Sequence, residues 1–407
     1  MTGFAPLSGL RVVELSSFVA APLAGLTLSQ LGADVIRIDP LGGAADYGRW
    51  PLAPSGRSLY WTGLNRGKRS VALDLRSAAG QELATALIAD PHPDGGILVT
   101  NAAGRDWLDD ARLRARRADL IHIRVLGHPD GGSAVDYTVN AALGYPLVTG
   151  HPDDPRPVNH VLPAWDLLTG ANAALAVIAA ERQRRLTGAG ECVSISLWDV
   201  ALTSASVLGM FAEAEVNRTE RARYGNRYYG GFGNDFETGD GRVMVVVLSE
   251  RQWWKLVEVT GAAGEIERLA AEHGVTFAAD GERFRRTDEI AAVLAPWFGA
   301  RSTAAVVAEL AAAGVVCSRY RTFREIVEAE AVEWAANPVV AVVDQPDVGR
   351  VHATGTPLRS DRHDPPPVPT AHRLGEDTEA VLAERLGLTA AEIGRLGAAG
   401  VIAGAAR

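Results

Sequence analysis

LRVVELSSFVAAPLAGLTLSQLGADVIRID, residues 10–39, decides how this chain folds. Two runs rich in β-branched residues, Leu10–Leu15 and Ala33–Ile38, flank a helix-forming stretch, Ala20–Leu31. A strand, a helix and a strand at this spacing predict parallel strands joined by a right-handed crossover. The pattern continues with strands at Ser70–Leu75, Gly96–Thr100 and Leu120–Val125 and a helix at Ala78–Ala89, so residues 10–127 read as one parallel α/β sheet. A long amphipathic helix, Trp165–Arg185, follows and is stopped by Gly188–Ala189–Gly190, with a strand at Cys192–Leu197 and another helix from about Trp198.

The character changes near residue 217. The stretch NRTERARYGNRYYGGFGNDFETGDGR is polar, glycine-rich and aromatic, and reads as linker and loops. A strand, Val243–Leu248, then precedes helices near Gln252–Thr260, Asp288–Trp297 and Thr303–Ala313, so roughly 225–325 form a smaller domain. Short strands and prolines occupy 337–369, and two short helices are predicted near 376–387 and 389–398.

Hydrophobic residues make up 47% and charged residues 22% of the 407, the balance of a soluble globular chain. The net charge of −9 argues against nucleic-acid binding, which needs a basic face. No apolar run approaches the roughly 20 residues of a membrane span, and the N-terminus shows no signal-peptide pattern. Two distant cysteines, Cys192 and Cys317, are too few for a disulfide framework and suit a reducing cytoplasm. None of the nine histidines is spaced for a metal cluster, so no metal is expected.

An N-terminal α/β sheet suggests dinucleotide binding, which needs a glycine-rich first turn so that backbone can approach a pyrophosphate. Here that turn reads ELSSFVAAPLAG and lacks the spacing, which leaves Asp39, at the end of the second strand, as weak support for a ribose contact. Four other segments carry candidate chemistry. In NHVLPAWDLLTG, residues 159–170, Asp166 stands at the start of the long helix just after a proline. It is either a cap for orphan N–H groups or a carboxylate nucleophile, ionised by the positive helix end, which is expected to lower its pKa. In RYYGGFGNDF, residues 227–236, Gly230 and Gly231 make either a hairpin loop or a mobile flap whose N–H groups cover a reacting carbonyl. In VDYTVNAALG, residues 135–144, Asp136 and Asn140 share a helix face, the plain reading being a solvated helix start. In LNRGKRSVALDLR, residues 64–76, Arg66, Lys68, Arg69 and Arg76 are either a solvated charge run or phosphate contacts.

Taken in order, PLSGLRVVELSSFVAAPLAGLTLSQLGADVIRID, LNRGKRSVALDL and RLGEDTEAVLAERLGLTAAEIGRLGAAGVI resemble the motifs of the class III coenzyme A transferases, the family of formyl-CoA and carnitine-CoA transferases and 2-methylacyl-CoA racemase. The resemblance covers nearly the whole chain and places Asp166 on the family's catalytic aspartate. The segments PLGGAADYGRWP, DGGSAVDYTVN, NHVLPAWDLLTG and FGNDFETGDGR are similar to members that move CoA between the two carboxyl ends of one dicarboxylic acid.

The resemblance implies a Rossmann-like large domain with a parallel sheet, made of 1–216 with 330–407, an inserted smaller α+β domain at 217–329, and a homodimer of interlocked chains. It implies an acyl-CoA substrate and no cofactor beyond CoA itself. Asp166 is then the acyl carrier, forming an anhydride and an aspartyl-CoA thioester, with Asp136, Gly230 and Gly231 in the catalytic set. Ser17, Phe18 and Ala20 are implied along the pantetheine path, Leu73 and Arg76 near the nucleotide, Asn101 and Arg105 at the next strand's end, and Asn140 also at the CoA. Ser17 stands where formyl-CoA transferase has a histidine. Racemisation needs an acid–base pair, and the racemase histidine maps to Val135, with the partner near Glu250. His128 and His160 are the remaining candidate bases.

Overall fold

A computed structural model describes residues 3–102, 104–328, 334 and 336–404. The chain divides into two compact units, one within 1–143, 161–213 and 333–407, the other within 144–160 and 214–332.

The first unit is built on a seven-stranded sheet. Its strands are β1 (Arg11–Leu15), β2 (Asp34–Pro40), β3 (Arg69–Leu73), β4 (Ile97–Thr100), β5 (Ile121–Leu126) and β6 (Cys192–Ser196). They are joined at one edge by β12 (Ile402–Ala403), giving the order β12-β3-β2-β1-β4-β5-β6. Six strands run parallel; β12 alone pairs antiparallel, with β3. Continuous apolar runs suit strands buried on both faces: β4 is wholly buried, and Val13, Ile36, Ile38, Val71, Leu73 and Leu98 form the core with residues of the helix Ala78–Ile88. The expected strands and helices of 10–127 are all present, with ends displaced by a residue or two.

The order reverses at β1, which has β2 on one side and β4 on the other. In open α/β sheets such a reversal opens a crevice at the carboxyl ends of the strands, where ligands bind. Ser17 and Phe18 follow β1 and Asn101 follows β4, so all three stand at that crevice. The helix Ala164–Thr187, ended by Gly188 at φ 73°, packs against the helix Ala20–Gln30. Gly170 makes this approach possible: a Cβ there would meet the Ala20 carbonyl oxygen at 2.6 Å and Leu23 Cβ at 2.9 Å.

The C-terminal segment closes the same unit. The Asp377 carboxylate accepts from the Ser70 N–H at 2.7 Å, and Thr378 Oγ1 accepts from the Ala72 N–H at 3.1 Å and donates to the Ala403 carbonyl at 2.8 Å. The helices Thr378–Leu386 and Ala390–Ala398 lie where expected; β12 was not foreseen. A hairpin of β10 (Val340–Gln345) and β11 (Gly349–Thr354) accounts for the short strands of the proline-rich region.

The second unit holds a three-stranded antiparallel sheet, β7 (Phe232–Thr238), β8 (Gly241–Val247) and β9 (Val316–Arg319), in sequence order. Its core joins Phe232, Phe236, Val243 and Val245 to Trp253, Leu294 and Phe298 on the helices Glu250–Thr260 and Thr287–Gly299. Two points of the sequence reading are corrected here. FGNDFET is a strand, not a loop, because Phe232 and Phe236 both turn inward, 0% and 3% exposed, and that burial overrides the turn-forming residues between them. Residues 144–160, assigned to the large domain, pack with the smaller unit. Arg223 Nε donates to the Leu147 carbonyl at 2.9 Å and the Gly225 N–H to the Gly150 carbonyl at 3.0 Å. The expected boundary at 329/330 lies outside the described residues. Among the described residues no single helix is long and apolar enough to cross a membrane.

Candidate active site

The helix Ala164–Thr187 begins after Pro163, whose side chain offers no cap. Its first N–H groups are satisfied instead from another helix, Asp136–Ala142. Asp136 Oδ2 accepts from the Trp165 N–H at 2.8 Å and the Asp166 N–H at 3.2 Å, and Asn140 Oδ1 accepts from Trp165 Nε1 at 3.1 Å. Asp136 and Asn140 are thus buried, 4% and 1% exposed, and the expectation of a solvated helix start is corrected. Their four-residue spacing puts both on the face that meets the helix start. Asn140, implied at the CoA, holds the Trp165 ring.

Asp166 is not the cap of its own helix. A carboxylate from elsewhere supplies the capping oxygen that Ser, Thr, Asp or Asn ordinarily contributes locally. The Asp166 side chain is left without that structural duty. Burial, and next the negative charge of Asp136, push its pKa from 3.8 to about 7, with Arg49 opposing. The expected lowering by the helix end is overturned: desolvation disfavours the ionised form more strongly than a helix terminus favours it.

Arg49 itself lies over two rings, 5.5 Å from the Phe18 centroid and 4.8 Å from that of Tyr60. Burial raises the Tyr60 pKa, Arg49 lowers it, and Asp166, Asp46 and Tyr137 add to the rise, so these side chains share one electrostatic neighbourhood. Phe18 reaches Arg49 from a backbone φ of 66°, a left-handed conformation that is rare and strained for a bulky residue. Arg49 and Tyr60 were not singled out in the sequence. The signal available was the motif DYGRWP, residues 46–51, but no spacing rule reports a guanidinium stacked on rings from other segments.

The other implied contacts separate into groups. Ser17 and Asn101 bond reciprocally across the crevice: the Ser17 N–H donates to Asn101 Oδ1 at 3.1 Å and Asn101 Nδ2 to the Ser17 carbonyl at 2.8 Å. Ala20 is buried in the first turn of its helix. Arg105 borders a cavity of about 260 Å³ beyond β4 and β5, with Thr100, Ala102, Asp109, His122 and Arg124. Leu73 is fully buried and its backbone pairs within the sheet, so it presents no side chain to a ligand. Arg76 is 94% exposed, 3.6 Å from Asp74.

Of the basic run, Lys68 is internal: its Nζ lies 2.8 Å from Glu14 and donates to the Pro22 carbonyl at 2.7 Å, and burial brings its pKa down to about 8. Arg69 pairs with Asp34 and Glu384. A phosphate role for these two is therefore corrected. Asp39 is bound by the buried Arg37, which removes it from any ribose. Gly230 and Gly231 belong to the second unit, just before β7, in a turn where the Tyr228 N–H donates to the Gly233 carbonyl at 3.0 Å; Gly230 has φ 81°.

Val135 is 59% exposed, at the N-terminal boundary of its helix, and has no group able to carry a proton. His128 Nδ1 bonds Asp130 at 2.6 Å and its ring lies against Trp198. Folding also brings Asp110, His122 and Cys192 together, with ligand atoms within 4.8 Å, a grouping that sequence spacing does not show. Asp110 there is engaged by Arg114 at 2.7 Å and by His122 at 3.1 Å, and burial raises the Cys192 pKa.

Comparison with known proteins places the chain in a family. Residues 7–378 match the family model of CoA-transferase family III. A 2-methylfumaryl-CoA isomerase of Chloroflexus aurantiacus is 50% identical over 400 residues, covering 98% of either chain. A succinyl-CoA–D-citramalate CoA-transferase of the same organism is 28% identical over 408 residues, again 98% of either chain. The crystal structure of a CAIB/BAIF family protein from Brucella suis superposes with a TM-score of 0.77 at 26% identity, covering 93% of this chain and 99% of that one. On the family match and the half-identical relative, the chain belongs to CoA-transferase family III.

Proposed function

We propose that this chain moves CoA from one carboxyl group of 2-methylfumaryl-CoA to the other, with Asp166 as covalent carrier. The observation that carries the reading is a carboxylate at a helix start, relieved of capping by Asp136 and held at a pKa of about 7. The likeness to the isomerase along the whole chain supplies the substrate.

A carboxylate whose pKa is near the working pH is a stronger nucleophile than an ordinary aspartate and is still ionised in a large fraction of molecules. Its oxygen attacks the thioester carbonyl, the C–S bond breaks, and CoA thiolate leaves a mixed anhydride. The thiolate then attacks the aspartyl carbonyl of that anhydride. The anhydride C–O bond breaks, giving aspartyl-CoA thioester and the free dicarboxylate. The other carboxylate of the acid attacks the new thioester and expels thiolate. The thiolate finally attacks the acid-side carbonyl, and Asp166 leaves as carboxylate. Each step exchanges a carboxylate for a thiolate, so protons and electrons balance without a co-reactant. Holding both ends of one acid in the site gives the acceptor a high effective concentration.

We further infer, from the family resemblance, an interlocked homodimer acting in the cytoplasm, with CoA as part of the substrate and no resident metal or cofactor. Incubation with the C1 thioester of 2-methylfumarate and labelled free 2-methylfumarate tests the reading. The C4 thioester is expected to accumulate without label. Label entering the thioester at the rate of turnover would establish intermolecular transfer instead.

A further inference from the structure

Arg49 Cζ lies over the rings of Phe18 and Tyr60, 5.5 and 4.8 Å from their centroids. A guanidinium held over aromatic rings still carries N–H donors that can fork to a planar anion. Arg49, like Arg57 and Arg105, has no carboxylate ion-paired to it among the described residues, whereas the buried Arg37 of the same unit is paired. Arg49 is also the cation whose charge reaches Asp166.

The substrate of the proposed reaction makes a specific demand here. A dicarboxylic monothioester brings a free carboxylate within a few bonds of the carbonyl that Asp166 attacks, into a site that already holds the Asp166 and Asp136 carboxylates. Repulsion among three like charges in a partly desolvated site disfavours binding unless a cation offsets it. After the first half of the transfer the acid is a dianion with no covalent tether, so the same cation must retain it.

We propose that Arg49, presented by Phe18 and Tyr60, binds the free carboxylate of a dicarboxylic acyl-CoA and holds the diacid between the two halves of the transfer. A planar bidentate contact suits guanidinium and carboxylate, and lysine reproduces the charge without the fork. The inference rests on Asp166 as the carrier.

Its test uses the full-length protein and Arg49→Met, well above the Asp166 pKa so that this group is ionised in both. Trapped Asp166 adduct is measured from 2-methylfumaryl-CoA and from a monocarboxylic acyl-CoA of similar length. The ratio of the two rates, diacid ester over monoester, is expected to fall about tenfold or more in Arg49→Met and to recover in part in Arg49→Lys. Labelled free diacid, excluded by the parent, is expected to enter the product of the Met variant. An unchanged ratio, or an equal fall for both esters, overturns the proposal and assigns Arg49 a structural or general electrostatic role. If the parent forms no adduct from either ester, the carrier reading fails first and this inference with it.

Discussion

Asp166→Asn is expected to stop CoA transfer, with turnover falling on the order of 10⁴-fold or more, because an amide cannot become the covalent carrier. The same change is expected to stabilise the fold. The Asp166 carboxyl has a folded pKa of about 7 against an ordinary 3.8. Below 3.8 it is protonated folded and unfolded alike, and its burial carries no charge penalty. As pH rises from there to about 7, the unfolded chain releases the proton that the folded chain keeps, so stability is lost across that window and stays lost above it. Asparagine removes the penalty. At pH 8 the gain is on the order of 2–4 kcal/mol, and it vanishes toward pH 4. Thermal unfolding of both proteins across this range measures it. A gain at pH 8 alongside lost turnover identifies a residue held for chemistry at the expense of stability, whereas at a structural cap the amide oxygen would keep the N–H contacts and stability would change little.

Asp136→Asn is expected to move the pH profile without removing the helix cap. The amide oxygen can still accept the Trp165 and Asp166 N–H groups that Asp136 now takes, but the negative charge that helps raise the Asp166 pKa is gone. Because only ionised Asp166 attacks, kcat/KM for the parent is expected to fall about tenfold per pH unit below about 7 and to level off above it. In Asp136→Asn the acid limb is expected at lower pH, and the plateau rate to drop as the less basic carboxylate becomes a weaker nucleophile. Asp136→Ala, by contrast, strands two N–H groups at a buried helix start, at a cost of about 1–3 kcal/mol for each. A limb that stayed in place in Asp136→Asn would mean that the Asp136 charge does not help set the Asp166 pKa.

The sheet was legible because strands buried on both faces leave continuous apolar runs, as in Ile97–Thr100, and because the helices between them are of crossover length. Asp166 stood out as a candidate by its place after Pro163 at a helix start, the family resemblance made it the carrier, and its state was misjudged. Its capping partner lies 30 residues earlier in sequence, and both that contact and the burial that sets the pKa are tertiary facts. Lys68 shows the converse error. A basic run looks solvated or phosphate-binding on paper, but Gly25 opens space in the facing helix: a Cβ there would collide with Glu14 Oε2, the carboxylate that Lys68 reaches. The strand Phe232–Thr238 was hidden by its glycine, asparagine and aspartate, residues that disfavour strands until the inward phenylalanines are counted. Arg49 escaped because its rings come from Phe18 and Tyr60, on either side of it in the chain.

Chemical trapping of the carrier is the most direct measurement. The protein is mixed with 2-methylfumaryl-CoA, quenched with hydroxylamine during turnover, digested, and the peptide holding Asp166 is weighed. Either covalent intermediate presents an activated aspartyl carbonyl, so a hydroxamate is predicted on Asp166 and on no other carboxylate. It is predicted to be absent without substrate and absent in Asp166→Asn. Steady turnover with an unmodified Asp166 peptide would contradict the account.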